Sequence, residues 1–156
     1  MKQEIERKFL VTGDGWRVTA GTGAICCQGY ITAGKSEATV RVRLLGGQGF
    51  LTVKSPAQGI SCSECEYEIP AADAEYMIKN LCGDRLVSKK RYTLENNGMI
   101  WEIDEFSGSN EGLTVAEIEL EREDQPFEKP EWLGAEVTSD SRYYNAALAL
   151  RPFSKW

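Results

Sequence analysis

The sequence predicts a mainly β (α+β) fold: eight short antiparallel strands, able to close into a barrel, with a few peripheral helices. Three observations predict it. Apolar and charged residues alternate with period two along most of the chain. Turn residues punctuate the alternating runs. Only two segments change to helical spacing. At 156 residues, a single domain spanning 1–156 is expected.

The strands are expected at 3–11, 25–31, 38–45, 49–55, 62–69, 88–95, 99–106 and 113–121. Gly46-Gly47 with Gly49, Asn96-Asn97-Gly98, and Ser107-Gly108 through Gly112 mark turns between them. Asn97-Gly98 between two alternating runs is the clearest hairpin. From 71 to 82, Ala74, Met77, Ile78 and Leu81 recur at helical spacing, and Gly83 stops the helix. From 140 to 150, Tyr143, Ala146, Ala147 and Leu150 do the same before Pro152. Residues 125–130 read as a polar loop bounded by proline. The two helices are expected to cover the outer apolar face of the sheet.

Composition removes several classes of function. Eighteen Lys and Arg against twenty-four Asp and Glu leave a net charge of −6, which disfavours nucleic acid as a partner. Histidine is absent, so imidazole bases and His-ligated zinc are excluded. No run of about 18 apolar residues exists to span a membrane. Cys26, Cys27, Cys62, Cys65 and Cys82 make an odd count with one adjacent pair, a poor disulfide framework, so a cytoplasmic location is expected. Cys62 and Cys65 lie three apart on a strand and should face opposite ways, as unremarkable thiols.

The alternation also sorts the charges. Glu4, Glu6 and Lys8 share one face of their strand, as do Arg41 and Arg43, and Lys54 on the next. Glu64 and Glu66, Lys89 and Arg91, Glu102 and Asp104, and Glu117 and Glu119 follow the same parity. Glu68 and Glu121 share it but fall at strand ends, as solvated rim residues, while Arg7 and Lys90 point the other way. One reading is a half-buried sheet with a wet charged face. The other is an internal charged cavity. Charges on each strand are nearly of one sign, which a face built for solubility would intersperse. Carboxylates about 7 Å apart on one strand face can share a hard divalent cation. If the face closes inward, six cations and eight anions meet there, and a polyanion with a divalent metal satisfies both sets.

These residues resemble, as an ordered set, the CYTH superfamily of triphosphate tunnel metalloenzymes. The hallmark E-x-E-x-K is Glu4-Ile5-Glu6-Arg7-Lys8. Gln28-Gly29-Tyr30, Arg41-Val42-Arg43, Leu51-Thr52-Val53-Lys54 and Glu64-Cys65-Glu66 follow. Lys89-Lys90-Arg91-Tyr92, Trp101-Glu102-Ile103-Asp104, Ala116-Glu117-Ile118-Glu119-Leu120 and Arg142-Tyr143-Tyr144-Asn145 complete it. The short bacterial branch, the inorganic triphosphatases, is the most similar. The resemblance implies an eight-stranded antiparallel barrel open as a tunnel. It implies Mg²⁺- or Mn²⁺-dependent hydrolysis of a small-molecule triphosphate, foremost inorganic tripolyphosphate to pyrophosphate and phosphate, by metal-activated water. Arg41, Arg43, Lys54, Lys89 and Arg91 would grip phosphates, and Lys8 would sit at the scissile group. Glu4, Glu6, Glu117 and Glu119 would hold metal, with Asp104 and Glu102 as further candidates and Glu64 and Glu66 as other tunnel acids. Cys62 stands where many relatives carry arginine, one charged contact fewer. The alternatives are a nucleoside or thiamine triphosphatase in the same tunnel, or a polyphosphate-binding module without turnover. A leftover outer apolar patch is a candidate homodimer contact.

Overall fold

A computed structural model describes residues 2–33 and 38–156. Among these, the alternating segments form β1 (Lys2–Val11), β2 (Ala24–Thr32), β3 (Thr39–Leu45), β4 (Gln48–Lys54), β5 (Ser61–Ile69), β6 (Leu86–Asn96), β7 (Met99–Ser107) and β8 (Thr114–Glu119). The eight expected strands are all present, with ends shifted by a residue or two. All pairings are antiparallel, and the order β5-β4-β3-β2-β6-β7-β8-β1 closes through β5 onto β1. Closure depends on the length of β1. Lys2–Ile5 pair with β5 on one edge, while Glu6–Leu10 pair with β8 on the other. The β6–β7 hairpin turns at Asn97 and Gly98, both at positive φ (50° and 76°), the geometry that an Asn-Gly turn supplies cheaply.

A ninth strand, β9 (Leu133–Glu136), extends the β5 edge of β1 and was not expected from sequence. Four residues with a glycine carry too little periodicity to announce a strand. Arg7, on the outer face of β1, fastens it through two hydrogen bonds to Glu136 (2.7 and 2.6 Å).

The outer apolar face is covered in two ways. The first helix, α1 (Ala71–Leu81), buries Ala74 and Ile78 against Val42 of β3. Gly29 permits its close approach, since a Cβ there would lie 2.6 Å from the Cys82 sulfur. Around β1, β6, β7 and β8 the cover comes from a short 3₁₀ turn (Gly15–Val18) and from loops instead. Trp16, Phe127 and Trp132 close over Phe9, Trp101, Ile103 and Ile118. Trp101 meets Phe9, Phe127 and Trp132 edge-on, with ring centroids 5.5–6.0 Å apart along this cluster.

The last helical region departs from expectation. Tyr144 is extended (φ −71°, ψ 136°) and splits it into a 3₁₀ turn, Ser141–Tyr143, and α2 (Asn145–Leu150). The Asp140 side chain accepts from the Arg142 amide and opens the turn. Rather than covering the outer face, α2 packs Leu148 and Ala149 on Tyr30, Val87, Phe106 and Val115. Val87, Phe106 and Val115 alternate in step with Lys89, Asp104 and Glu117, so they face inward. The helix therefore stoppers one end of the barrel with apolar side chains.

Candidate active site

Because the apolar residues of each strand are used outside and at the stoppered end, the charged residues are left to the interior. They enclose a cavity of about 750 Å³. Twelve of the fourteen residues singled out above line it: Glu4, Glu6 and Lys8 from β1, Arg41 and Arg43 from β3, and Lys54 from β4. Glu64 and Glu66 of β5, Arg91 of β6, Glu102 of β7, and Glu117 and Glu119 of β8 complete the set. Lys89 and Asp104 lie behind the lining, wholly buried. Glu68 and Glu121 are exposed, and Arg7 and Lys90 are turned away.

The charges settle into two networks, the first joined through Glu117. Behind the lining, Asp104 accepts from Lys89 and takes a two-pronged grip from Arg91, at 2.7 Å to Nε and 2.6 Å to Nη2. Arg91 then reaches Glu117 at 3.0 Å and pairs with Glu102 at the surface. On β1 and β8, Lys8 bridges Glu117 and Glu6, its backbone amide held by the Thr138 hydroxyl at 3.0 Å. On β3 to β5, Glu66 ties Arg41 to Arg43 at 3.0–3.1 Å, and Lys54 joins Glu4 to Glu64.

Burial alone would push the Glu117 carboxyl up; Lys8 and Arg91 outweigh it and hold it well below the ordinary range. Asp104 is lowered in the same way by Arg91 and Lys89. Glu6 goes the opposite way, raised by burial and by the charge of Glu117. Burial and neighbouring cations push Lys89 and Arg43 downward, Arg91 acting on the first and Arg41 on the second. Each wall of the cavity thus crowds like charges. Burial pushes the Cys62 thiol up to about 11, so it faces Glu4 as a neutral donor at 3.4 Å. Cys65 is not part of the lining, and among the described residues every cysteine is unpaired.

The depressed carboxylates make stability acid-sensitive. A carboxyl whose pKa is lower folded than unfolded contributes fully above its unfolded value and loses that contribution as pH falls toward the folded value. Glu117, Asp104, Glu4 and Glu66 all act in this sense, and Glu6 alone opposes them. The urea midpoint should not fall between neutral pH and about pH 4.5, where the raised Glu6 carboxyl can only add to it, and should fall progressively below that as the lowered carboxylates are protonated. An unchanged midpoint at roughly pH 3 would contradict this electrostatic picture.

Residues without charge are given no role from sequence, although Gln28, Thr52 and Asn145 stand in the motifs quoted above. Thr52 is fully buried and bonds both Glu66 (2.6 Å) and Arg41 (3.1 Å). Gln28 donates to the Tyr30 hydroxyl at 2.7 Å, and Asn145 of α2 accepts from Lys89 at 3.0 Å. Parity places Thr52 beside Lys54 on the inward face, a signal that a search for charges passes over. Thr138 lies in aperiodic chain beyond the last barrel strand, and Asn145 lies within the expected 140–150 helix but off the apolar positions that its spacing marks.

Residues 2–150 match the CYTH domain model. The chain belongs to the CYTH family. It is 46% identical to an inorganic triphosphatase of Acetivibrio thermocellus over all of this chain and 99% of that one. An inorganic triphosphatase of Nitrosomonas europaea is 38% identical, over 94% of this chain and 97% of its own. A crystal structure of an inorganic triphosphatase superposes with a TM-score of 0.68 at 38% identity, covering 94% and 97% of the two chains. A Pyrococcus horikoshii protein shares the fold alone, at 20% identity and a TM-score of 0.58, covering 78% and 80%. No helix among the described residues is long and apolar enough to cross a membrane.

Proposed function

We propose that this CYTH domain, spanning the whole chain, hydrolyses inorganic tripolyphosphate to pyrophosphate and phosphate with Mg²⁺ or Mn²⁺. The observation that carries the reading is a pair of buried donors. The Nε–H groups of Arg41 and Arg43 have no acceptor among the described residues, although both side chains line the cavity. A buried donor without an acceptor costs about 1–3 kcal/mol, and a phosphate oxygen would satisfy it. Two relatives that carry the name inorganic triphosphatase, matched nearly end to end, support the same substrate.

The donor set fits a hard divalent cation. Around the ring of eight strands, β3 lies across from β8. Arg41 and Arg43 therefore face the carboxylate wall, where Glu6 is the register partner of Glu119 and is repelled by Glu117. All these donors are oxygens, and the thiol of Cys62 is protonated, which suits Mg²⁺ or Mn²⁺ better than a softer metal. Among the described residues no three acidic or thiol groups already converge on one point. The carboxylates are drawn onto Lys8, Lys54 and Arg91 and would turn to the cation as phosphate takes those partners. Glu4, Glu6, Glu117 and Glu119 would hold the ion, with Glu102 at the margin. When bound, the ion would acidify a water molecule and offset phosphate charge.

The chain's own residues do the positioning. Arg41, Arg43, Lys54 and Arg91 bind and align the phosphates, and Lys8 donates to an oxygen of the scissile group, where charge develops. Asp104 keeps Arg91 and Lys89 oriented from behind, with both its oxygens taken. Water attacks the terminal phosphorus and pyrophosphate leaves. With histidine absent and the cavity lysines Lys8 and Lys54 held charged, the proton of that water passes to a carboxylate of the cavity.

The test is phosphate release from tripolyphosphate with Mg²⁺ or Mn²⁺. EDTA should abolish release, and added metal should restore it. Release that survives EDTA contradicts the metal-dependent reading.

A further inference from the structure

Arg41 of β3, Thr52 of β4 and Glu66 of β5 are register partners in one row across three strands. Thr52 stands in the middle with no exposed surface. It is uncharged, and its side chain carries one proton to give and lone pairs to receive. The proton goes to Glu66 Oε2 at 2.6 Å, and Arg41 Nη2 donates to the hydroxyl at 3.1 Å. The same Oε2 accepts from Arg41 Nη2 at 3.0 Å and from Arg43 Nη2 at 3.1 Å. One buried hydroxyl thus joins both ends of the bridge that holds two arginines together. On each arginine one Nη is engaged in this way, while the buried Nε has no acceptor among the described residues.

We propose that Thr52 is a positioning residue for polyphosphate binding: its hydroxyl locks Glu66 between Arg41 and Arg43, so that both guanidinium groups keep an Nε–H in hand for phosphate. This inference rests on the triphosphatase reading and adds a residue that acts through others. The bridge is needed because the two arginines repel each other, and Glu66 is the carboxylate that holds both. The Glu66 side chain is 28% exposed, so on its own it is free to swing toward solvent. Thr52 has a β-branched, stiff side chain on a central strand, which makes it a fixed post for that carboxylate. The row lies on β3 to β5, apart from Lys8 on β1, where the scissile group is placed. Loss of the hydroxyl should therefore weaken substrate anchoring and leave the chemical step alone.

The experiment compares Thr52→Val, which keeps the shape, with Thr52→Ser, which keeps the hydroxyl. KM for tripolyphosphate should rise about tenfold in the valine variant, with kcat within about twofold of wild type. Serine should restore most of the affinity. In a Glu66→Gln background the valine penalty should shrink, because the two residues act as one unit. Thr52→Ala repeats the comparison should valine fail to fold. A wild-type KM in the valine variant would overturn the proposal. So would equal damage from valine and serine, a loss confined to kcat, or the same penalty in both backgrounds. Calorimetric binding of tripolyphosphate with Mg²⁺ separates this inference from the one beneath it. If wild type binds without turnover, the triphosphatase reading fails and the Kd series decides the role of Thr52. If wild type does not bind, both fall.

Discussion

Lys8→Ala is expected to reduce tripolyphosphate turnover by at least about 10²-fold, the scale on which removal of one donor to developing charge is felt. Lys8 is buried between Glu6 and Glu117, and both carboxylates hold its ammonium charged despite burial. Removing it takes away the cation proposed at the scissile group. It also leaves two crowded carboxylates facing each other, so the carboxyl of Glu6, already raised, should rise further. Some stability should go with the activity, and circular dichroism at a temperature well below the melt must show the barrel retained. Arg7→Ala is the matched control, one residue away on the outer face, paired with Glu136 of β9. It should lose a little stability and keep its turnover. Equal activity in wild type and Lys8→Ala would remove the catalytic role assigned to the cavity.

Asp104→Asn is expected to give the largest loss of stability. Asp104 is the shared counter-ion of Lys89 and Arg91, and all three are buried. Asparagine keeps the shape and some hydrogen bonding but cancels the charge. Breaking a buried ion pair by neutralising one partner typically costs about 3–5 kcal/mol. For a chain of this length that corresponds to a fall in Tm of about 10 °C. The ammonium of Lys89, already pushed down by burial and Arg91, should then release its proton more readily. Glu102 also meets Arg91, but its side chain is 41% exposed, and Glu102→Gln should barely move the melt. Equal shifts for the two variants in a thermal scan would show that burial of Asp104 does not carry the weight given to it.

The strands and the sorting of their charges onto one face were legible because one signal encodes both; that this face closes inward followed from the family resemblance. On Val40-Arg41-Val42-Arg43, period two states which residues are neighbours on a face, and the one-sided charge states which face is unusual. Closure itself is a property of β1, whose two halves pair with different strands, and no local pattern in Lys2–Val11 records that. The destination of α2 was hidden for a related reason. Leu148 and Ala149 look like the buried face of any short helix, and only the inward apolar residues Val87, Phe106 and Val115 reveal the barrel end that they fill. Phe127 and Trp132 sit in aperiodic chain, so their role as cover over Trp101 was equally silent. Within the site, parity placed the charged residues correctly, but depth was out of reach. Lys89 and Arg91 share a face two residues apart, yet Arg91 lines the cavity and Lys89 lies behind it.

The most direct measurement sets tripolyphosphate against ATP and pyrophosphate, at equal concentration with Mg²⁺, and follows both phosphate and pyrophosphate. The account predicts fast turnover of tripolyphosphate to one phosphate and one pyrophosphate, with little release from ATP and none from pyrophosphate. Comparable or faster release from ATP would contradict it, placing an organic triphosphate in the cavity that Arg41 and Arg43 help to line.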